Sequence, residues 1–154
     1  MKRGSTIFLR LVIYFIALLV LALCTLALPA GIMTDQTGMY RPILIGLYIP
    51  AIPFFAALYQ SLKILDVIDK NKAFSQISVD ALGVIKYCAI VIGTLFAAGQ
   101  PYVFYVADLD DAPGAALIGF VIIFASFVIA TAAAVFQRLM QNAVDIKSEN
   151  DLTV

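Results

Sequence analysis

The chain has 154 residues, 63% of them hydrophobic and only 13% charged, whereas soluble domains run near ~45–50% and about 25%. A water-soluble fold is excluded, because the polar residues are too few to cover a core. Ten basic residues balance ten acidic ones, with no His and two Cys, so there is no net field for direct nucleic-acid binding, no imidazole base or pH switch and no four-ligand zinc site.

The charges cluster, and the intervals between clusters have membrane length. Arg10 to Asp35 encloses 24 uncharged residues, Arg41 to Lys63 and Lys86 to Asp108 enclose 21 each, and Asp111 to Arg138 encloses 26. A hydrocarbon layer about 30 Å thick needs roughly 20 helical residues. The sequence therefore predicts an all-α polytopic membrane protein, a bundle of four transmembrane helices in a single domain, 1–154. The spans fall at about 7–30, 42–62, 84–107 and 113–137, with a loop at 63–83 and a tail at 138–154.

Four crossings put both termini and the 63–83 loop on one side. Nine of the ten basic residues lie there, including Lys2 and Arg3, and only Arg41 lies opposite. Positive charge is retained on the cytoplasmic side, so both termini are expected in the cytoplasm and the chain in the cell (inner) membrane. The basic start and the Ala27-Leu-Pro-Ala-Gly31 segment resemble a secretory leader. The apolar run is too long for one, and the first span reads as a retained helix.

The second span carries Pro50 and Pro53, which together predict a kink near mid-membrane. That kink is either a hinge or cavity wall, or a static bend that shapes the bundle. The third span places Ala89, Gly93 and Ala97 four residues apart, a stripe that admits a close neighbour. Near its outer end come Gln100 and Pro101. The Gln100 amide is expensive in lipid, so it is expected in the bundle or at the interface, as an interhelical bond or a ligand contact. The fourth span repeats the stripe with Ser126, Ala130 and Ala134, which points to packing of the third span on the fourth. No span has an ionisable residue near its centre, unlike pumps and coupled transporters. The tyrosines lie mostly toward span ends, where phenols favour headgroups. Cys24 and Cys88 differ in depth by roughly 18 Å, too far for a disulfide, and are expected as free thiols.

In the 63–86 segment the second helix continues to a stop at Asn71. Ser75 or Ser78 is placed to cap the third helix, and Phe74, Ile77 and Leu82 to lie at the headgroup boundary. This segment is a turn resting on the membrane or a docking surface. The tail prolongs the fourth helix with an apolar stripe, Phe136, Leu139, Met140, Ala143 and Ile146. It ends in Glu149, Asn150, Asp151 and Leu152, and the final Leu-Thr-Val is placed either to add as a strand to a partner or to lodge a carboxylate in a backbone nest. The outer Asp108-Leu-Asp-Asp111 cluster is either a weak cation site or a solvated loop. No phosphate loop, Cys-x-x-Cys, nucleophile elbow or EF-hand occurs, and the chain reads as a non-enzyme without cofactor or metal.

Two segments, Lys72-Ala-Phe-Ser75 with Val79, Leu82, Ile85 and Tyr87, and Ala143 with Ser148-Glu-Asn-Asp-Leu-Thr-Val154, resemble a bacterial family of short four-span membrane proteins classed as a domain of unknown function. The resemblance covers nearly the whole chain. It implies a membrane component acting with a small helix-turn-helix regulator encoded beside it, and brings no catalytic or ligand residues. The leading expectation is a non-catalytic sensor or signalling protein that binds a cytoplasmic partner through 63–86 or 139–154, in contact with the lipid bilayer. The alternative is a small channel or permease, formed by a homo-oligomer around the kinked second span.

Overall fold

Apolar runs long enough to cross a bilayer become helices because no water is there to serve exposed backbone groups. A computed structural model of the chain describes residues 2–153, with side chains from Gly4 to Leu152. The first span is α1 (Lys2–Ala22), a π-helical turn (Leu23–Ala27) and α2 (Leu28–Thr34); the second is α3 (Arg41–Gly46) and α4 (Tyr48–Asp69). The third is α5 (Gln76–Leu109) and the fourth α6 (Pro113–Thr153). No strand occurs among the described residues. All four spans are long and apolar enough to cross a membrane. The Lys2 and Arg3 side chains, and Val154, lie outside the described residues.

Neighbours in chain order pack against each other: α5 on α6 most extensively, α4 on α5 next, and α1 on α4 more lightly. The pairs are antiparallel, so both termini share one end, here the terminal end, and the other is the distal end. Most buried residues belong to α5 and α6. The α5–α6 seam runs through small side chains: Ala89 and Gly93 on α5, and Ala116, Ser126, Ala130 and Ala133 on α6, are all buried. A Cβ on Gly93 would approach Phe127 to 3.1 Å and Ser126 to 3.2 Å. Ala97, the third member of the stripe expected on α5, is instead exposed. A strict four-residue repeat drifts around a helix of 3.6 residues per turn, and Gln100 takes over the seam one turn further on.

The second span is interrupted at one residue, Leu47, between α3 and α4 and toward the distal end, where the backbone keeps helical dihedrals. Pro50 is buried in the first turn of α4 and Pro53 lies within that helix. A proline disturbs the helix on its N-terminal side, toward the carbonyl four residues back. For Pro50 that carbonyl belongs to Gly46, the last residue of α3.

Turn chemistry fixes the two longer helix ends. Asn71 is left-handed (φ 59°), with Lys72 N–H on the Val67 carbonyl at 2.9 Å and Asn71 N–H on that of Ile68 at 3.0 Å, a Schellman stop with Asn in the usual glycine position. Asp111 (φ 48°) ends α5 in the same way, with Ala112 N–H on the Ala107 carbonyl at 2.9 Å. At 34 and 41 residues, α5 and α6 are roughly 50 and 60 Å long and exceed the hydrocarbon layer. No Gly or Pro follows Gly119, so α6 runs unbroken to Thr153. Leu152 and Thr153 continue that helix.

Candidate functional site

Three polar constellations lie along the helices, at the distal end, within the membrane and at the terminal end. At the distal end Asp35 organises the turn between α2 and α3. Its carboxylate accepts from Thr37 Oγ1 (2.9 Å) and from the backbone N–H groups of Gly38 (3.1 Å), Tyr40 (3.0 Å) and Arg41 (3.1 Å). Burial alone raises the Asp35 carboxyl, but these four donors outweigh it and hold the group below the usual carboxylate range. The Tyr40 hydroxyl donates to Asp110, and this bond, with burial and the charges of Asp110 and Asp35, pushes the phenol up. Tyr102 Oη donates to the Met39 carbonyl at 2.8 Å. The turn is thus tied to the end of α5 twice, over a cavity of about 490 Å³. The Asp108–Asp111 carboxylates do not converge: no group of three metal-ligating side chains exists among the described residues.

Within the membrane, Gln100 is buried and donates from Nε2 to the Ala116 carbonyl at 2.9 Å. Gly119 makes room for it, since a Cβ there would lie 2.2 Å from Gln100 Oε1. In the other helix pair, Tyr48 Oη donates to the Cys24 carbonyl at 2.7 Å. Tyr40, Tyr48 and Tyr102 are therefore structural donors in addition to any interfacial role, whereas Tyr14, Tyr59, Tyr87 and Tyr105 are exposed. Both cysteines are free.

At the terminal end Arg10 on α1 bridges Asp66 and Asp69 on α4, the latter at 2.9 Å. Gln76 and Gln141 exchange amide bonds at 3.3 Å in both directions, each also donating to the carboxylate four residues on, Asp80 and Asp145. Lys86 Nζ donates to Gln137 Oε1 at 3.0 Å. Gln137 in turn crosses over Gly83, where a Cβ would meet its Nε2 at 2.7 Å. Ser75 stands at the N-cap position of α5 with extended backbone, but its hydroxyl makes no cap bond; the Ser75 carbonyl accepts from Ser78 and Val79 instead. The hydroxyls of Ser75 and Ser78 are both buried without a partner among the described residues. The side-chain cap expected of either serine is absent.

The ten residues singled out by sequence are not gathered into one place. Pro50 is buried, Pro53 half-buried, Gln100 buried beside an exposed Pro101, Phe74 exposed and Ser75 half-buried. Glu149, Asn150, Asp151 and Leu152 are exposed on the last turns of α6. None lines the distal cavity or the terminal-end groove. Sequence reading missed the Arg10 pair, Tyr48–Cys24 and Lys86–Gln137. Their signals are an arginine at the edge of span one facing carboxylates three apart, and Pro29 five residues after Cys24.

The family model for a protein of unknown function, DUF2975, matches residues 25–154. The chain belongs to the DUF2975 family. It is also similar to an uncharacterized membrane protein, YoaS, of Bacillus subtilis (strain 168), with 51% identity over 160 aligned residues covering all of both chains. No solved structure matches it. Membership in DUF2975 and the similarity to YoaS agree with the resemblance carried by the 72–87 and 143–154 segments, and with a four-span membrane protein.

Proposed function

We propose that this protein is a non-catalytic sensor or signalling component of the cell membrane, with both termini in the cytoplasm, that engages a cytoplasmic regulator through the end of α6. One observation carries the reading. Past Arg138 the helix continues for about four turns to Thr153, with Leu139 and Ile146 exposed along one strip that begins at Phe136. Seven-residue spacing keeps Leu139 and Ile146 on the same face, and an exposed apolar strip on a helix is the form in which helical partners are recognised. Nine of ten basic residues at the terminal end favour its cytoplasmic placement. The resemblance to a family encoded beside helix-turn-helix regulators supplies the kind of partner.

The test is co-purification of the regulator encoded beside the gene with the intact protein, with residues 139–154 deleted, and with Leu139→Ser plus Ile146→Ser. Binding by the intact chain and its loss in both altered forms supports the reading; no binding by the intact chain overturns it.

A further inference from the structure

Lys86 and Arg138 hold equivalent places on neighbouring helices. Lys86 is the last charged residue of α5 before 21 uncharged ones, and Arg138 the first on α6 after 26. The Lys86–Gln137 bond shows that the two positions lie level across the seam. Both therefore sit where hydrocarbon gives way to headgroups on the terminal side. Between them opens a groove of about 420 Å³.

Its chemistry is divided. Toward the hydrocarbon the wall is Ala134, Val135 and Thr131, whose hydroxyl is spent on the Phe127 carbonyl; toward the terminal end it is Gln137 and Gln141 with Val79, and the two cations stand at the boundary. Four carboxylates nearer the membrane at this end are engaged elsewhere, Asp66 and Asp69 by Arg10 and Asp80 and Asp145 by the glutamine pair. Neither Lys86 nor Arg138 has a carboxylate partner among the described residues. Lys86 donates to Gln137 and lies 4.7 Å over the Tyr87 ring, neither of which neutralises its charge, and the Arg138 guanidinium suits two phosphate oxygens.

We propose that this groove seats the phosphate of an anionic phospholipid, clamped between Lys86 and Arg138, with its glycerol and acyl stem along Ala134 and Val135. Two uncompensated cations at the membrane surface attract an anion, and the apolar wall beside them identifies it as one with a hydrocarbon stem. A free anion gains nothing from that wall. The site is confined to the root of the tail: from Leu139 onward Lys147 faces Asp145, Glu149 and Asp151, and the segment repels anionic lipid.

The test uses the full chain in phosphatidylcholine vesicles and spin-labelled lipids. Labelled phosphatidylglycerol is expected to associate with the protein on the order of tenfold more strongly than labelled phosphatidylcholine. Lys86→Gln with Arg138→Gln should bring the two lipids level, while Lys63→Gln with Lys72→Gln, an equal loss of charge, should leave the preference in place. If the first pair fails to fold, exposed Arg138→Gln alone should cut the preference several-fold. Equal association of both lipids with the unaltered protein overturns the proposal, as does a preference that the site variants leave intact. Displacement of labelled lipid by inorganic phosphate at millimolar concentration would make the site one for a free anion and also overturn it.

Discussion

The hydroxyl of Tyr48 serves a carbonyl that the first span cannot serve itself. In the π-helical turn Leu28 N–H bonds to the Leu23 carbonyl, five residues back. In that register the donor for Cys24 would come from residue 29, which is proline and has no N–H. Tyr48 supplies the missing donor at 2.7 Å, from the first residue after the Leu47 break. The π-helical turn of span one thus finds its missing donor at the start of α4.

Tyr48→Phe keeps the ring and orphans the Cys24 carbonyl. Interhelical bonds in membranes contribute on average about 0.6 and at most about 1.7 kcal/mol, and the loss is expected within that range, read as reduced unfolding free energy in detergent or bicelles. Pro29→Ala restores a backbone donor. In that background Tyr48→Phe should cost markedly less, and a cycle without coupling between the two sites would refute the assignment.

Gly119→Ala probes the other pair of spans. Its methyl would lie 2.2 Å from Gln100 Oε1, so the buried amide must shift, at the expense of its bond to the Ala116 carbonyl. Overpacking of this kind costs roughly 1–3 kcal/mol. Gln100→Ala in the same chain should recover part of that loss. A Gly119→Ala protein as stable as the parent would show that the seam has room the structure does not contain.

What the sequence disclosed, and what it withheld, follows from the range of each interaction. Span number came from local charge spacing, and the pairing of α5 with α6 from small residues at helical intervals. Asn71 was legible as a stop because its left-handed preference is its own. The interruption at Leu47 precedes Pro50 because a proline acts on the turn before it and frees the Gly46 carbonyl. Ala97 was misassigned because four-residue spacing follows the seam for only two turns. Arg10 with Asp66 and Asp69, and Tyr48 with Cys24, depend on how far α1 slides along α4. No pattern within either helix encodes that register.

Ser78→Ala should leave stability unchanged or raise it by up to about 1 kcal/mol. The Ser78 side chain is buried, and its hydroxyl has no partner among the described residues. Removing an unpaired polar atom from a buried site relieves its desolvation cost. The methyl of alanine fits within the space of the serine. A loss above about 1 kcal/mol in chemical denaturation would mean that the hydroxyl is bonded after all.

Acid should loosen the distal turn through Asp35. Its folded-state pKa is depressed by the hydrogen bonds from Thr37, Tyr40, Gly38 and Arg41, which outweigh burial, so the ionised form is favoured by the fold. A depressed carboxylate contributes stability that is present above its unfolded value, about 3.9, and that disappears as pH falls through the lower folded value. The parent protein should therefore lose more thermal stability than Asp35→Asn between neutral pH and the acid side of that window. At neutral pH Asp35→Asn should itself be the less stable, since an amide accepts through one oxygen where the carboxylate uses two. Protection of the Tyr40 and Arg41 amides against hydrogen exchange should fall in parallel in the variant. Identical pH profiles for the two proteins would remove Asp35 as the organiser of this turn.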